Sequence, residues 1–512
     1  MKQKDRYFMN VLSLLHDANI SYEIQPGHPL SQSQDIEDLT YDSRKAHAGA
    51  AFVCLVGANT DGHTYANQAY QNGCRCFFAQ HSLDLPPDAA VILTQDTRAA
   101  LSALSAALFS FPQRHLNIIG ITGTKGKTTV ASLLFQLLNG VGIPTGLIGT
   151  CGIIYGETHL PTQNTTPESY ELMRTFFQML QAGIHTVVME VSSQALSHHR
   201  VDGIPFDLAI FTNLSPDHIG EHEHPDFAHY RDAKKRLFSM CRHALLNADD
   251  PAWQDMCADS QASIRTFALD GPADDVACNI SPLRGTLFGM GFVYMDRPFT
   301  IRLPGKYNVS NALCALSAAR YYTHRMDLMQ QILAHATVPG RFETVPSPRK
   351  DLTLVIDYAH NAVSMQELLR TVRSYHPKRI VCVFGSVGGR TKQRRAEMGK
   401  VVAEYSDFAV ITSDNPDFED PQQIMQDIAA QFSDDLCPHV CIADRREAIY
   451  YTLSHAQSGD VILFCGKGHE TYQLIRGVKE PFRESRVIAQ YFQNVQTSAP
   501  APLTRQKTQE NG

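Results

Sequence analysis

The sequence predicts an α/β protein of three domains, and three observations lead there. The chain has 512 residues, 43% of them hydrophobic, more than a single core usually organises. Short apolar runs alternate with helix-like stretches from Asn117 to Asn247, and again from Thr353 to Cys465, the pattern of parallel sheets covered by crossover helices. A turn rich in glycine, threonine and lysine joins the first of these runs to a helix.

Met1 to Tyr22 mixes Leu12, Leu14 and Leu15 with Asp17 and Asn19 at helical spacing, which predicts an amphipathic helix rather than a secretion signal. Residues 1–112 read as a small mixed α/β domain, with strands at Ala51 to Val56, Cys76 to Ala79 and Ala90 to Leu93, and a helix from Arg98 to Phe109 stopped by Pro112. Residues 113–337 form a central domain with a mostly parallel sheet: strands Asn117 to Thr122, Thr186 to Val191, Asp207 to Thr212 and Ala244 to Asn247, and a helix from Val130 to Leu138. Residues 338–496 open with Val338-Pro339-Gly340 and repeat the alternation at Thr353 to Asp357, Ile380 to Phe384, Phe408 to Thr412 and Val461 to Cys465. They predict a Rossmann-like domain lacking the dinucleotide glycine pattern. Residues 497–512 are polar and aperiodic and are expected to be disordered.

A formal charge of −7 and a pI near 6.3 give no footprint for nucleic acid, and no apolar run reaches membrane-spanning length. Twelve cysteines, several in apolar stretches, read as reduced and mostly buried thiols of a cytoplasmic protein. Cys74-Arg75-Cys76 and Cys437-Pro438-His439-Val440-Cys441 lack paired partners at zinc-site spacing.

The turn Gly123-Thr124-Lys125-Gly126-Lys127-Thr128-Thr129 predicts nucleoside-triphosphate binding and makes the central sheet P-loop ATPase-like. Glycines allow successive amides to face phosphate oxygens, the following helix adds its positive end, Lys127 supplies a point charge, and Thr128 offers a hydroxyl to Mg²⁺. Ile121 stands where the usual spacing puts the first glycine, so the loop is a compact variant. Other polar residues gather after strands, where α/β sheets hold ligands. Glu190 closes one strand and could hold a metal or cap the next helix. Asn213, Asp217 and His218 follow another, with His218 a candidate metal or phosphate ligand, and His222, His224 and His229 beyond it read as a solvated loop rather than a zinc site.

These motifs, in order, resemble the Mur ligases, and among them the UDP-N-acetylmuramoyl-tripeptide synthetases. The resemblance runs through Tyr41-Asp42-Ser43-Arg44, Asp61-Gly62-His63, the phosphate loop, Asn164-Thr165-Thr166-Pro167, Glu190-Val191-Ser192-Ser193, Thr212-Asn213-Leu214 with Asp217-His218, and Ala233-Lys234. It continues in Asn308 and Asn311, Val338 to Glu343, Asp357-Tyr358-Ala359-His360, Gly385 to Arg390, Asp414-Asn415-Pro416 and Gly466-Lys467-Gly468-His469-Glu470. It implies an ATP-dependent amide ligase in peptidoglycan precursor synthesis, a monomer that joins a free diamino acid to UDP-N-acetylmuramoyl-L-alanyl-D-glutamate through an acyl phosphate. Lys127, Glu190, His218 and Lys234 would be catalytic. One Mg²⁺ would lie near Thr128 and Glu190, a second near His218 and a carbamate formed by CO₂ on Lys234, although an ordinary surface lysine is the plain alternative there.

By the same resemblance Asn308, Asn311, Asp357, His360 and Arg390 join the loop in holding ATP. Ser43, Asn164, Thr165, Thr166, Ser192, His198 and Arg200 would hold the UDP substrate, and Arg395, Asp414, Asn415, Asp417, Gly466 and Glu470 the amino acid. Relatives that add meso-diaminopimelate usually carry arginine after Asp-Asn-Pro, which can grip the distal carboxylate. Asp417 stands there instead, favouring L-lysine or ornithine, with meso-diaminopimelate as the alternative. Gln194 in place of a histidine, a longer Asp217 to Tyr230 segment, and the rearranged Phe482-Arg483-Glu484-Ser485-Arg486 suggest a divergent subfamily. A Mur-type ligase for another carboxylate acceptor (a folate, an amino-acid polymer, a secondary metabolite) and a non-catalytic nucleotide-binding regulator are the competing readings.

Overall fold

The computed structural model describes residues 9–30, 35–57, 60–217, 219–220, 223–283, 288–433 and 437–498. The chain divides into two compact units, one running to Ser281 with Gly291–Ile301 and Lys306–Ala336, the other made of Pro282–Met290, Arg302–Gly305 and the chain from Thr337 onward.

The first unit holds two large sheets and a short antiparallel pair, Met9–Asn10 with Asp35–Ile36. In the N-terminal large sheet, Asp38–Thr40, Ala50–Val53, Cys76–Ala79 and Ala90–Leu93 lie parallel in that order, with Glu23–Ile24 antiparallel on the far edge. Its inner strands are wholly apolar runs, as strands covered on both faces must be. The helix Thr97–Leu108 begins one residue before its expected start because Asp96 caps it, accepting the Arg98 and Ala99 amides at 2.8 and 3.0 Å. The amphipathic N-terminal helix is shorter than expected, Val11–Ala18, started by an Asn10 cap and ended by Asn19 in a left-handed conformation; residues 1–8 lie outside the described residues.

The second sheet has eleven strands. At its centre Asn117–Thr122 lies between Thr186–Glu190 and Phe206–Phe211, all parallel, with Thr145–Gly149 beyond the former and Cys241–Asn247, Ser263–Ala268 and Asp275–Pro282 beyond the latter. The carboxyl ends of the three central strands therefore carry Gly123, Glu190 and Thr212 side by side.

The second unit is built on a six-stranded sheet in the order Glu343–Val345, Thr353–Asp357, Asp460–Cys465, Arg379–Phe384, Phe408–Thr412, His439–Ile442, parallel except for the first. Asp460–Cys465, late in the chain, is inserted between earlier strands, and such a reversal of strand order opens a crevice at the carboxyl edge. A hairpin, Tyr472–Ile475 with Val478–Pro481, follows it. The last helix, Glu484–Ser498, carries regular structure two residues into the stretch expected to be disordered; 499–512 lie outside the described residues.

Candidate active site

The phosphate loop takes its shape from two glycines. At Gly123 φ is +146° and a Cβ would sit 2.0 Å from Thr212 Oγ1; at Gly126 φ is +84° and a Cβ would sit 2.5 Å from Asn311 Oδ1. A side chain at either position would be strained and would force a neighbour to shift. The helix Lys127–Gly140 starts directly after Gly126, with Thr128 and Thr129 buried in its first turn. Lys127 Nζ folds back onto the Gly123 and Thr124 carbonyls at 2.8 and 3.0 Å. A neighbouring strand end clamps the loop from outside. The Lys125 N–H donates to Asn213 Oδ1 at 2.9 Å, and the Lys125 carbonyl accepts Thr212 Oγ1 at 2.6 Å and Asn213 Nδ2 at 3.0 Å. Thr124 Oγ1 accepts from the Ser215 amide and from Tyr230 Oη. Motif order pointed to Asn213 without showing this clamp.

Glu190, 2% exposed, accepts Thr128 Oγ1 at 2.9 Å on one oxygen and the Thr150 amide at 2.8 Å on the other. Gly149 leaves it room, since a Cβ there would lie 2.3 Å from Glu190 Oε1. Glu190 is not a helix cap: Ser192 caps Ser193–Ser197 by accepting the Ala195 amide. A threonine hydroxyl beside a buried carboxylate is an all-oxygen donor set suited to Mg²⁺. Thr150 escaped the sequence reading because the glycine-flanked strand before it has little strand character.

Lys234 is not a surface lysine. The helix Phe227–Lys235 turns Tyr230 and Lys234, one turn apart, inward, while Arg231 and Lys235 face Asp255 and Asp259. Lys234 is 2% exposed, its Nζ donates to the Gly123 carbonyl at 2.9 Å, and it lies 4.4 Å from the Tyr230 ring centroid. Burial, reinforced by the Lys127 charge, holds this amine well below the ordinary lysine value. A neutral amine is the form that adds CO₂. His218 and His222 lie outside the described residues. His224 is buried rather than solvated, with Ser193 Oγ at 2.8 Å and His229 Nδ1 at 2.8 Å.

Beside Glu190, the buried Thr166 hydroxyl donates to the Glu190 carbonyl and accepts the Ser192 amide. Arg200 Nη1 donates to the Thr166 carbonyl at 3.2 Å while its Nε faces Glu168 at 2.8 Å. Thr165 Oγ1 accepts from Thr150 Oγ1 at 3.2 Å, and Asn164 is exposed on the same loop. His198 is pushed down to about 4 by burial, then by Arg98 and Arg200. Ser43 stands apart in the N-terminal sheet domain, donating to Gln68 Oε1. Asn311 reaches the loop through Gly126 and donates to Asn308 Oδ1 at 3.2 Å.

Among the described residues, Asp61, His63 and His81 bring three ligand-type atoms within 4.8 Å of one another. His63 is already engaged at both nitrogens, by Asp61 at 2.6 Å and by the Gln80 amide at 2.9 Å, so this is a structural knot.

In the second unit, Asp357 ends its strand and accepts the Phe342 and Ala359 amides at 2.7 and 2.8 Å; burial raises its pKa. Burial also lowers His360, whose Nδ1 donates to the Tyr358 carbonyl, and Arg390 is exposed on the loop after Arg379–Phe384. Asp414 lies against Gly466, where a Cβ would be 2.6 Å from its Oδ2. Lys467, part of the last motif but given no role there, is fully buried and donates to Asn415 Oδ1 at 2.8 Å and Glu470 Oε2 at 2.6 Å, with Asp414 Oδ1 3.6 Å away. Asp414 Oδ1 is buried without a hydrogen bond and faces the Lys467 ammonium. Asp417 is engaged elsewhere: at φ +51° its Oδ1 accepts the Gly477 amide at 2.7 Å, fastening the hairpin turn. Arg395, expected in the same pocket, is buried and matched by Glu419, at 2.7 and 2.5 Å, and by Asp427, at 2.9 Å.

Family models place this geometry. Residues 35–108 match the Mur ligase family catalytic domain, 121–319 the Mur ligase middle domain, and 340–468 the Mur ligase glutamate ligase domain. A UDP-N-acetylmuramoyl-L-alanyl-D-glutamate–2,6-diaminopimelate ligase from Caldanaerobacter subterraneus subsp. tengcongensis is 38% identical over 482 residues, 94% of this chain and 98% of the relative. The chain belongs to the Mur ligase family. A ligase of the same name from Clostridium perfringens is 38% identical over 92% of this chain and 97% of its own. Among solved structures, one ligase of that name superimposes with a TM-score of 0.62 at 27% identity, covering 93% of this chain and 99% of the other. MurF from Acinetobacter baumannii shares the fold at 20% identity, with a TM-score of 0.64, covering 96% of this chain and all of that one. This Mur ligase is thus an ATP-dependent acid–amino-acid ligase, and the regulator reading falls away. Among the described residues no helix is long and apolar enough to cross a membrane, and all twelve cysteines are free thiols.

Proposed function

We propose that this Mur ligase adds 2,6-diaminopimelate to UDP-N-acetylmuramoyl-L-alanyl-D-glutamate at the expense of ATP, in the cytoplasmic assembly of peptidoglycan precursors. The observation that carries the reading is the convergence of Lys127 and the buried Lys234 on the Gly123 carbonyl, beside the Thr128–Glu190 pair, in a chain whose full-length relatives bear that name. A carboxylate must approach an anionic triphosphate, so positive charge has to be concentrated at the transferring group. Lys127 and the amides of the Gly126–Lys127 helix start supply it. Thr128 and Glu190 would hold one Mg²⁺, and His218 with a Lys234 carbamate a second; bound Mg²⁺ neutralises phosphate charge. The acceptor's carboxylate oxygen takes the γ-phosphoryl group and ADP leaves. The amine of the amino acid then attacks the carbonyl carbon, phosphate departs with the carboxylate oxygen, and the amine's proton is lost. Thr165, Thr166, Ser192, His198 and Arg200 would position the acceptor, with Ser43 and Asn164 completing its contacts. Asn308, Asn311, Asp357, His360 and Arg390 would complete the ATP contacts.

The amino acid is assigned to Asp414, Asn415, Gly466 and Glu470. A preference for lysine or ornithine requires a free Asp417 carboxylate. That carboxylate is tied to the Gly477 amide, and the names of the relatives support diaminopimelate. Phosphate release with the UDP-dipeptide and, in parallel, meso-diaminopimelate, lysine and ornithine tests the reading. Release should require both substrates and be fastest with diaminopimelate. Faster turnover with lysine would reverse the amino-acid assignment, and release needing neither substrate would remove the reading.

A further inference from the structure

The buried pair Arg445–Glu484 lies beneath the amino-acid pocket, and neither residue has a part in the chemistry above. Their side chains are 0% and 1% exposed. Arg445 opens the helix Arg445–Ser454 and Glu484 opens Glu484–Ser498. Arg445 Nη2 donates to the Cys465 carbonyl at 2.7 Å and Nη1 to the Ser413 carbonyl at 3.2 Å, while Nε and Nη2 reach Glu484 Oε1 at 3.0 and 2.8 Å. Those carbonyls immediately precede Gly466 and Asp414.

The two segments come from strands that do not pair. Arg379–Phe384 lies between Asp460–Cys465 and Phe408–Thr412, so these are two strand spacings apart, about 10 Å; past their ends side chains join the segments, Asn415 to Glu470 and Lys467 to Asn415, while Arg445 ties the two backbones just before them. Gly385, at the end of the intervening strand, lets the next segment fold over it, for a Cβ there would lie 2.1 Å from the Thr412 carbonyl. Only a planar fork with several donors can hold both carbonyls while a carboxylate holds its rear edge. A buried ion pair adds little stability over apolar residues of similar volume, which leaves geometry as the gain.

We propose that Arg445, braced by Glu484, is a positioning residue that fixes the spacing between Asp414–Asn415 and Gly466–Glu470 and so sets affinity for the amino acid; this rests on the assignment of those segments to the amino-acid pocket. The test compares the parent with Arg445→Met/Glu484→Leu and with Arg445→Lys, using whichever diamino acid the parent turns over fastest. Losing the ion pair costs little, but the donors to the Cys465 and Ser413 carbonyls go with it, so the double variant should unfold below the parent's temperature. Its KM for the diamino acid should rise on the order of 10- to 100-fold, with KM for the UDP-dipeptide, held in the other unit, unchanged. Arg445→Lys keeps the charge without the fork and should show the same split, which covers a double variant that fails to fold. An unchanged diamino-acid KM in a folded variant, or equal shifts in both KM values, would overturn the proposal while leaving the function intact. A parent inactive with every diamino acid would remove the function and this inference together.

Discussion

Replacing Lys127 with methionine keeps the aliphatic length and removes one charge from the loop. Its Nζ lies 2.8 and 3.0 Å from the Gly123 and Thr124 carbonyls of the phosphate loop. A unit charge about 4 Å from a phosphate oxygen, at an effective dielectric constant near 20, contributes about 4 kcal/mol. If that interaction strengthens as charge builds on the transferring group, its loss lowers kcat by roughly three powers of ten. A second consequence follows from the shared Gly123 carbonyl. The Lys234 pKa is lowered first by burial and then by the Lys127 charge, so Lys127→Met lets it rise. At a given pH less free amine is available to CO₂, and carbamate formation moves to higher pH. Phosphate release gives the first number, and ¹³C NMR with labelled bicarbonate across a pH series gives the second. A folded variant with kcat within roughly tenfold of the parent would refute the electrostatic argument, and an unmoved carbamate profile would refute the coupling between the lysines.

Lys234→Met should lose most turnover, with partial rescue by formate. Because the folded pKa lies below the unfolded value, the folded state binds fewer protons, so the parent's stability climbs with pH through that window, up to about 10.4. In CO₂-free buffer the variant should be the more stable near neutrality, with the gap in urea midpoints closing toward pH ~10; parallel profiles would refute this. Gly126→Ala must adopt φ +84° and push Asn311 aside, costing about 1–2 kcal/mol from the backbone alone and raising KM for ATP. Gly142→Ala is the control, with φ +90° and nothing within 4 Å of a Cβ; it should lower Tm similarly and leave ATP kinetics alone. Asp417→Asn keeps an oxygen for the Gly477 amide and tolerates the left-handed backbone. The ratio of diaminopimelate to lysine turnover should not change, and a marked change would restore charge selection at this position.

The parallel strands were legible because burial on both faces leaves uninterrupted apolar runs, as in Thr353–Asp357 and Phe408–Thr412, whose limits match the reading. Strands with one wet face were not. Asp275–Pro282 is buried only at Asp275 and Ala277, and Val478–Pro481 is exposed throughout. At the site, the glycines, Lys127, Thr128 and Glu190 could be read because phosphate and metal binding demand those residue types at those places. Burial of Lys234 could not be read, since its helix is mostly polar and the inward turn of Tyr230 and Lys234 depends on the loop above. Nor does residue type reveal that Asp417 fastens a turn or that Arg395 is already paired, because both facts depend on partners distant in sequence.

The most direct test of the account is oxygen transfer. With ¹⁸O in the glutamyl side-chain carboxylate of the UDP-dipeptide, the phosphate released during amide formation should carry one labelled oxygen, because phosphoryl transfer onto that carboxylate precedes attack by the amine. Unlabelled phosphate accompanied by normal amide product would mean that no acyl phosphate forms, and the roles given to Lys127, Glu190 and Lys234 would fail with it.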